Sequence, residues 1–174
     1  QAKNILEKYG IDLPPYVVVS KLSEVEERLQ YVQLYLPQNL EATRKELSYA
    51  YQDLKEGNHE LCLFKASKAK AESNTVLSLL GIRSDRVKDI VKQKIDAAKE
   101  SILQQTDRGL FPIVGYSYYE YATSLRDSDS FSALLFSEYA LELSNLDIYF
   151  EQDVTPKEDT LQGENAREEE PELN

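Results

Sequence analysis

Residues 54–74 read LKEGNHELCLFKASKAKAESN, and residues 125–145 read LRDSDSFSALLFSEYALELSN. Laid over one another at a shift of 71 residues and without a gap, Leu63, Ala66, Ala69, Ser73 and Asn74 fall on Leu134, Ser137, Ala140, Ser144 and Asn145. The preceding Leu54-Lys55-Glu56-Gly57-Asn58 falls on Leu125-Arg126-Asp127-Ser128-Asp129. Each copy therefore reads as a helix, a tight polar turn and a second helix. That second helix carries small residues at i, i+4, i+7 and i+11: Cys62, Ala66, Ala69, Ser73 in one copy and Ala133, Ser137, Ala140, Ser144 in the other. Such a seam lets helix backbones approach closely, as in tandem helical hairpins. Two hairpins are too few for an open solenoid, so a compact antiparallel bundle is expected.

The flanking sequence fits that frame. Leu40, Leu47, Ala50 and Leu54 line one helix that Asn39 could cap. Leu61, Phe64, Ala69, Val76 and Leu80 carry the next, ending at Gly81. Ser84 could cap a third helix, with an apolar stripe of Val87, Ile90, Val91, Ile95, Ala98 and Ile102. A fourth follows over 112–127, and a fifth, capped by Asp129, runs to Phe150. Upstream, residues 1–36 read as helix, strand, helix. Ala2–Tyr9 is a short helix closed by Gly10, and Tyr16–Val19 after Pro14-Pro15 is a buried strand. Ser20 or Ser23 then caps a helix bearing Val25, Leu29, Val32 and Leu36. Residues 151–174 hold nine acidic side chains against Lys157 and Arg167, a net −7, with few apolar residues to offset the entropy of ordering; they read as a disordered acidic tail. The predicted fold is thus all-α: a bundle of two helical hairpins over 37–150, preceded by a short β-α segment in 1–36 and followed by that tail.

Charge and composition exclude several functions. With Lys+Arg 20 against Asp+Glu 31, the 174-residue chain carries −11, and about −4 without the tail. No basic footprint for nucleic acid or an anionic membrane surface is present, and no apolar run reaches the ~20 residues of a spanning helix. One Cys and one His exclude an internal disulfide and the usual zinc sets, so neither a metal nor another cofactor is expected. His59 reads as a solvated turn residue and Cys62 as a small buried hydrophobe. The acids Glu24, Glu26 and Glu27 flank apolar positions on a helix surface, whereas acid–base work requires a desolvated carboxyl. No catalytic residue is assigned.

The densest aromatic stretch is Tyr116-Ser117-Tyr118-Tyr119-Glu120-Tyr121, in a chain with 12 Tyr. On a helix, positions 116 and 119 share one side, and 118 and 121 another, so one pair can serve the core and the other a partner. Tyr116, Tyr118, Tyr119 and Tyr121 are the candidate partner-binding residues, because Tyr offers large contact area at low entropic cost.

Two stretches carry a family resemblance. Gly10-Ile11-Asp12 with Tyr16-Val17-Val18-Val19-Ser20-Lys21-Leu22-Ser23-Glu24-Val25 resembles the end of the proteolytic domain of Lon-type serine peptidases, where a last strand leads into a closing helix. Tyr118-Tyr119-Glu120-Tyr121-Ala122, with Ser124-Leu125 and Ala133–Leu141, resembles the helical extension after that domain in archaeal Lon-like proteases, which lack a fused ATPase module. The resemblance implies a parent serine protease with a Ser nucleophile and a Lys base, both upstream of the closing strand. Ser20-Lys21 and Ser67-Lys68 sit in the wrong context for that pair. Opening on Gln1, the chain reads as a piece of something longer. On this resemblance it is a non-catalytic helical accessory domain for assembly or substrate handling, its partners being polypeptides: its own protease domain, a second copy or a substrate. The alternative is an independent helical-hairpin interaction adaptor.

Overall fold

The computed structural model describes residues 13–36 and 40–145. Six α-helices form there: α1 Pro15–Tyr35, α2 Glu41–Lys55, α3 His59–Leu79, α4 Val87–Asp107, α5 Ile113–Leu125 and α6 Ser130–Ser144, with a 3-10 turn at Ser84–Arg86 leading into α4. The fold is all-α, and no strand is formed among the described residues. The expected helix over Ala2–Tyr9, the Asn39 cap, the continuation of the last helix to Phe150 and the acidic tail lie outside them.

The expected strand at Tyr16–Val19 is instead the first turn of α1, and its first link is the proline pair. Pro14 is extended (φ −64°, ψ 140°) and takes the N-cap position, while Pro15 opens the helix. Its fixed φ suits a first turn, and its missing N–H is one that no helix would satisfy there. The β-branched run costs a few tenths of a kcal/mol per residue in helix propensity. Full burial of Val18, Leu22, Val25 and Val32 contributes about 1.5–3 kcal/mol per side chain and wins. Ser20 and Ser23 therefore sit inside α1 rather than capping a helix, with Ser23 Oγ donating to the Val19 carbonyl. α1 is also part of the bundle. Its apolar stripe shares one core with Leu47, Ala50, Cys62, Leu63, Ala66 and Ala69, so residues 15–35 pack with α2 and α3 rather than forming a separate β-α segment.

Each half of the structure is built on a central helix. α3 packs on both α1 and α2, α6 packs on both α4 and α5, and α3 and α6 pack on each other. The internal repeat is therefore three helices long. In α1 and α4 the buried positions Val18, Leu22, Val25, Leu29 and Val32 correspond to Val91, Ile95, Ala98, Ile102 and Gln105, a shift of 73. In α2 and α5, Thr43 and Ala50 correspond to Gly115 and Ala122, a shift of 72. In α3 and α6 the shift is 71, as the gapless alignment has it. Each connection in the second unit is thus one residue shorter. The two polar turns differ accordingly. Gly57, at φ +75°, lets Asn58 N–H reach the Asp53 carbonyl, whereas Asp129 N–H returns to Leu125 without any left-handed residue. Asp129 caps α6 as expected, accepting from Ser132 N–H at 3.1 Å. Ser84 opens the 3-10 turn and makes no cap bond.

Both small-residue seams are closed. Cys62, Ala66, Ala69, Ser73, Ala133, Ser137, Ala140 and Ser144 all have no exposed surface. No helix among the described residues is long and apolar enough to cross a membrane.

Candidate functional site

The four candidate tyrosines divide as the helical spacing requires, but into two aromatic files rather than a core pair and a free pair. On one side of α5, Tyr116 lies 5.3 Å from Phe111 and 6.1 Å from Tyr119, and Tyr119 packs on the second unit's core. On the other side Tyr118 and Tyr121 meet Phe136 and Tyr139 of α6. Tyr118 stacks on Phe136 at 5.9 Å and meets Tyr139 edge-on at 5.1 Å, and Tyr121 lies 5.7 Å from Phe136. These separations lie in the range where ring quadrupoles favour offset and edge-on contacts. The i, i+3 pair Tyr118/Tyr121 thus interlocks with the i, i+3 pair Phe136/Tyr139. The sequence reading missed the second pair, although its spacing was visible.

Burial grades along this file. Tyr139 is 7% exposed, Tyr118 and Phe136 are half-buried, and Tyr121 is 59% exposed. At the buried end Tyr139 Oη donates to Glu72 Oε1 at 2.8 Å, and Thr43 Oγ1 donates to Glu72 Oε2 at 3.1 Å. Burial and the adjoining Glu72 carboxylate raise the Tyr139 phenol far above its ordinary value. Lys68 Nζ sits 5.6 Å above the Tyr139 ring, a cation–π contact. α2, α3, α6 and α5 therefore contribute to one surface that runs from the polar Thr43–Glu72 pair to the open ring of Tyr121. Hydrogen bonding to Glu120 raises the Tyr116 hydroxyl above its ordinary value.

The residues with reactive potential are engaged elsewhere. Cys62 is buried in the first unit's core. Burial, and then the Asp53 charge, push its thiol up to about 11, the opposite of an activated nucleophile. His59 is only partly buried, and its Nδ1 lies 3.1 Å from the Leu13 carbonyl oxygen, tying the start of α3 to the chain before α1. It is a fastening residue rather than a solvated one. Glu26 and Glu27 stay on the surface of α1, Glu26 accepting from Tyr51 Oη.

Glu24 takes a different part. It bonds Lys70 at 2.7 Å and Lys21 at 3.3 Å, while Glu142 bonds Lys21 and Lys70 at 3.2 Å each. Asn74 Nδ2 approaches Glu142 at 3.5 Å. This cluster joins α1, α3 and α6 and so clamps the two units. Burial pushes the Glu24 carboxyl up, but the Lys70 hydrogen bond and the charges of Lys21 and Lys70 outweigh it and leave it below its usual range. Burial likewise disfavours the charge on Lys70, and the Glu142 charge with the Glu24 hydrogen bond reverses that, for a net rise. The described residues contain no group of three or more His, Cys, Asp or Glu able to hold a metal. A groove of about 530 Å³ between α1 and α2 is lined in part by Leu29, Arg44, Leu47 and Tyr51, with neither Cys62 nor His59 in its lining. Set beside known families, curated proteins and solved structures, the chain matches no family model, no curated protein and no solved structure.

Proposed function

We propose that this chain is a non-catalytic helical module that acts through protein contacts, with the Tyr118–Tyr121–Phe136 end of the aromatic file as its contact surface. The observation that carries this is the exposure of Tyr121 on a base of interlocked rings. The rings beneath are held by packing and by the Tyr139–Glu72 bond, so little side-chain entropy remains to be lost when a partner covers them. The raised thiol of Cys62 and the structural bond of His59 support the non-catalytic part.

The narrower reading is an accessory domain of a Lon-like serine protease, for assembly or substrate handling. Its support is the resemblance of Tyr118–Leu125 and Ala133–Leu141, which fall on α5 and α6. The resemblance of residues 16–25 needs a strand where α1 is a helix, and it lends no support. The stand-alone adaptor reading uses the same surface.

Sedimentation of the full chain, wild type against Tyr121→Ala and Phe136→Ala, tests the module reading. Loss of self-association or of partner binding in the variants, with unchanged helix content, is the expected result. Identical sedimentation at every concentration and an unchanged partner profile would overturn it. Peptide hydrolysis by the parent chain, with and without residues 15–145, tests the narrower reading. A parent without Ser/Lys-dependent peptidase activity removes the protease assignment and leaves the module reading standing.

A further inference from the structure

α1 exposes more apolar surface than its fold requires. On the side away from the core Tyr16 is 61%, Leu34 77% and Tyr35 65% exposed, and Val19 and Tyr31 are exposed as well. The internal repeat supplies the comparison. At the shift of 73 that matches the buried faces of α1 and α4, Tyr16, Val19, Tyr31 and Leu34 correspond to Asp89, Lys92, Gln104 and Asp107, all exposed. The reverse case is Leu103, which α4 exposes where α1 has Gln30. The equivalent helix is thus built with a largely polar outer face, so the apolar one on α1 serves something outside this fold.

The order of residues on that face indicates its occupant. At roughly 3.6 residues per turn, Tyr16, Ser20, Ser23, Glu27, Tyr31 and Leu34 run along one line, opposite the buried Val18, Leu22, Val25, Leu29 and Val32. Taken in the opposite direction, that line complements itself. Set antiparallel to a second copy, Tyr16 meets Leu34, Ser20 leaves room for Tyr31, Val19 lies beside Gln30, and Ser23 is placed to donate to Glu27. Each of these contacts then occurs twice, as an isologous pairing requires. The charge distribution agrees. The chain carries −11, so two copies repel over much of their surface, whereas Glu27 is the only charged side chain on this line.

We propose that the outer face of α1 is a dimerisation surface on which two copies of the chain pair α1 against α1, antiparallel. None of its residues belongs to the aromatic file of α5 and α6, and the proposal does not rest on that file.

Sedimentation equilibrium of the full chain over a wide concentration range should show monomer and dimer. Tyr16→Asp and Leu34→Asp place on α1 the residue that α4 holds at the matching position. Each should therefore keep the helix content and weaken the dimer about tenfold or more. Cross-linking reports the register, and Cys62, with no exposed surface, leaves the introduced thiols to act alone. A mixture of Val19→Cys and Gln30→Cys chains should form a disulfide-linked dimer under mild oxidation. Neither chain should do so by itself, because like positions in the antiparallel pair stand about 15–18 Å apart along the helix axis. Adding Tyr121→Ala to both chains should leave the link in place. A chain that stays monomeric at every concentration overturns the proposal, as does a dimer that survives both aspartate substitutions. Linking in either chain alone as strong as in the mixture overturns it too, and so does a link lost with Tyr121→Ala. If the aspartate variants do not fold, the cysteine mixture decides the matter.

Discussion

Lys94 Nζ stands 2.6 Å from Glu138 Oε1, and Glu138 is 2% exposed on α6 at the position that Ser67 holds on α3. The equivalent lysine of the first unit, Lys21, thus has no carboxylate at the matching position. It turns to Glu24 and across the interface to Glu142. One substitution within a duplicated pattern decides whether the ion pair stays inside a unit or ties two units together.

Removing one member of the Lys94–Glu138 pair should cost more than removing both. Lys94→Met leaves a buried carboxylate whose remaining partner is Ser78 Oγ at 3.4 Å. A fully buried pair costs roughly 3–5 kcal/mol to break. Lys94 is about one-third exposed, so solvent screening brings the expected loss nearer to about 2 kcal/mol. The double variant Lys94→Met/Glu138→Leu should recover most of it. Urea denaturation of both variants measures the difference.

Gly115→Ala should destabilise, although Ala is the better helix former by about 1 kcal/mol. The added methyl would collide with Ser144 Oγ and come within 3.0 Å of that residue's backbone, which cannot rotate away. Overpacking of this kind typically costs about 1–3 kcal/mol, so the net effect is a loss. Ser144→Ala in the same chain should rescue only part of it, because the backbone contacts remain. The midpoint of chemical denaturation reports both.

The clamp between the units sets a pH window. The Glu24 carboxyl lies below its ordinary 4.5 when folded, so its contribution is complete above that value and lost as pH falls through the lower folded one. The Lys70 ammonium lies above its ordinary 10.5, so its contribution is complete below that value and lost as pH rises through the higher folded one. Stability from this cluster should therefore be flat between about pH 4.5 and 10.5. Glu24→Gln should make the acid-side fall shallower, as read from thermal midpoints across pH.

Cys62 should resist alkylation in the folded protein. With its thiol pushed up to about 11 and no exposed surface, the thiolate is both scarce and shielded at mildly alkaline pH. The labelling rate should rise by orders of magnitude in denaturant and track unfolding. Fast labelling of folded protein would mean that the first core opens without global unfolding.

Tyr139→Phe and Tyr121→Ala should separate the two ends of the aromatic file. The first leaves Glu72 Oε1 without its donor and should cost about 1 kcal/mol of stability. The second removes an exposed ring and should leave the denaturation midpoint nearly unchanged while weakening association.

The helical character and both small-residue seams were legible because periodicity and residue size speak directly to local packing. The Ser/Ala spacing of α3 and α6 reads the same in sequence and in space. The strand at Tyr16–Val19 misled because β-branched residues after Pro-Pro favour extension only while burial is ignored. The full span of the repeat was hidden for a geometric reason. Losing one residue at each connection moves the register from 73 to 72 to 71, and a gapless comparison keeps only the last of these. Tyr116–Tyr121 drew notice by density, whereas Phe136 and Tyr139 complete the file from another helix, a pairing that only tertiary contact reveals. Glu24 looked like one surface acid among many, since nothing local marks Lys70 and Glu142 as its neighbours.

The clamp also bears on the order in which the molecule comes together. Within the first unit Lys21 and Lys70 face the single carboxylate of Glu24, and the second arrives from Glu142, near the end of α6. Without α6 packed on them, the first three helices would offer Lys21 and Lys70 only Glu24, while the last three hold their Lys94–Glu138 pair among themselves. The first half's ion pairs are therefore complete only when the second half is docked on it.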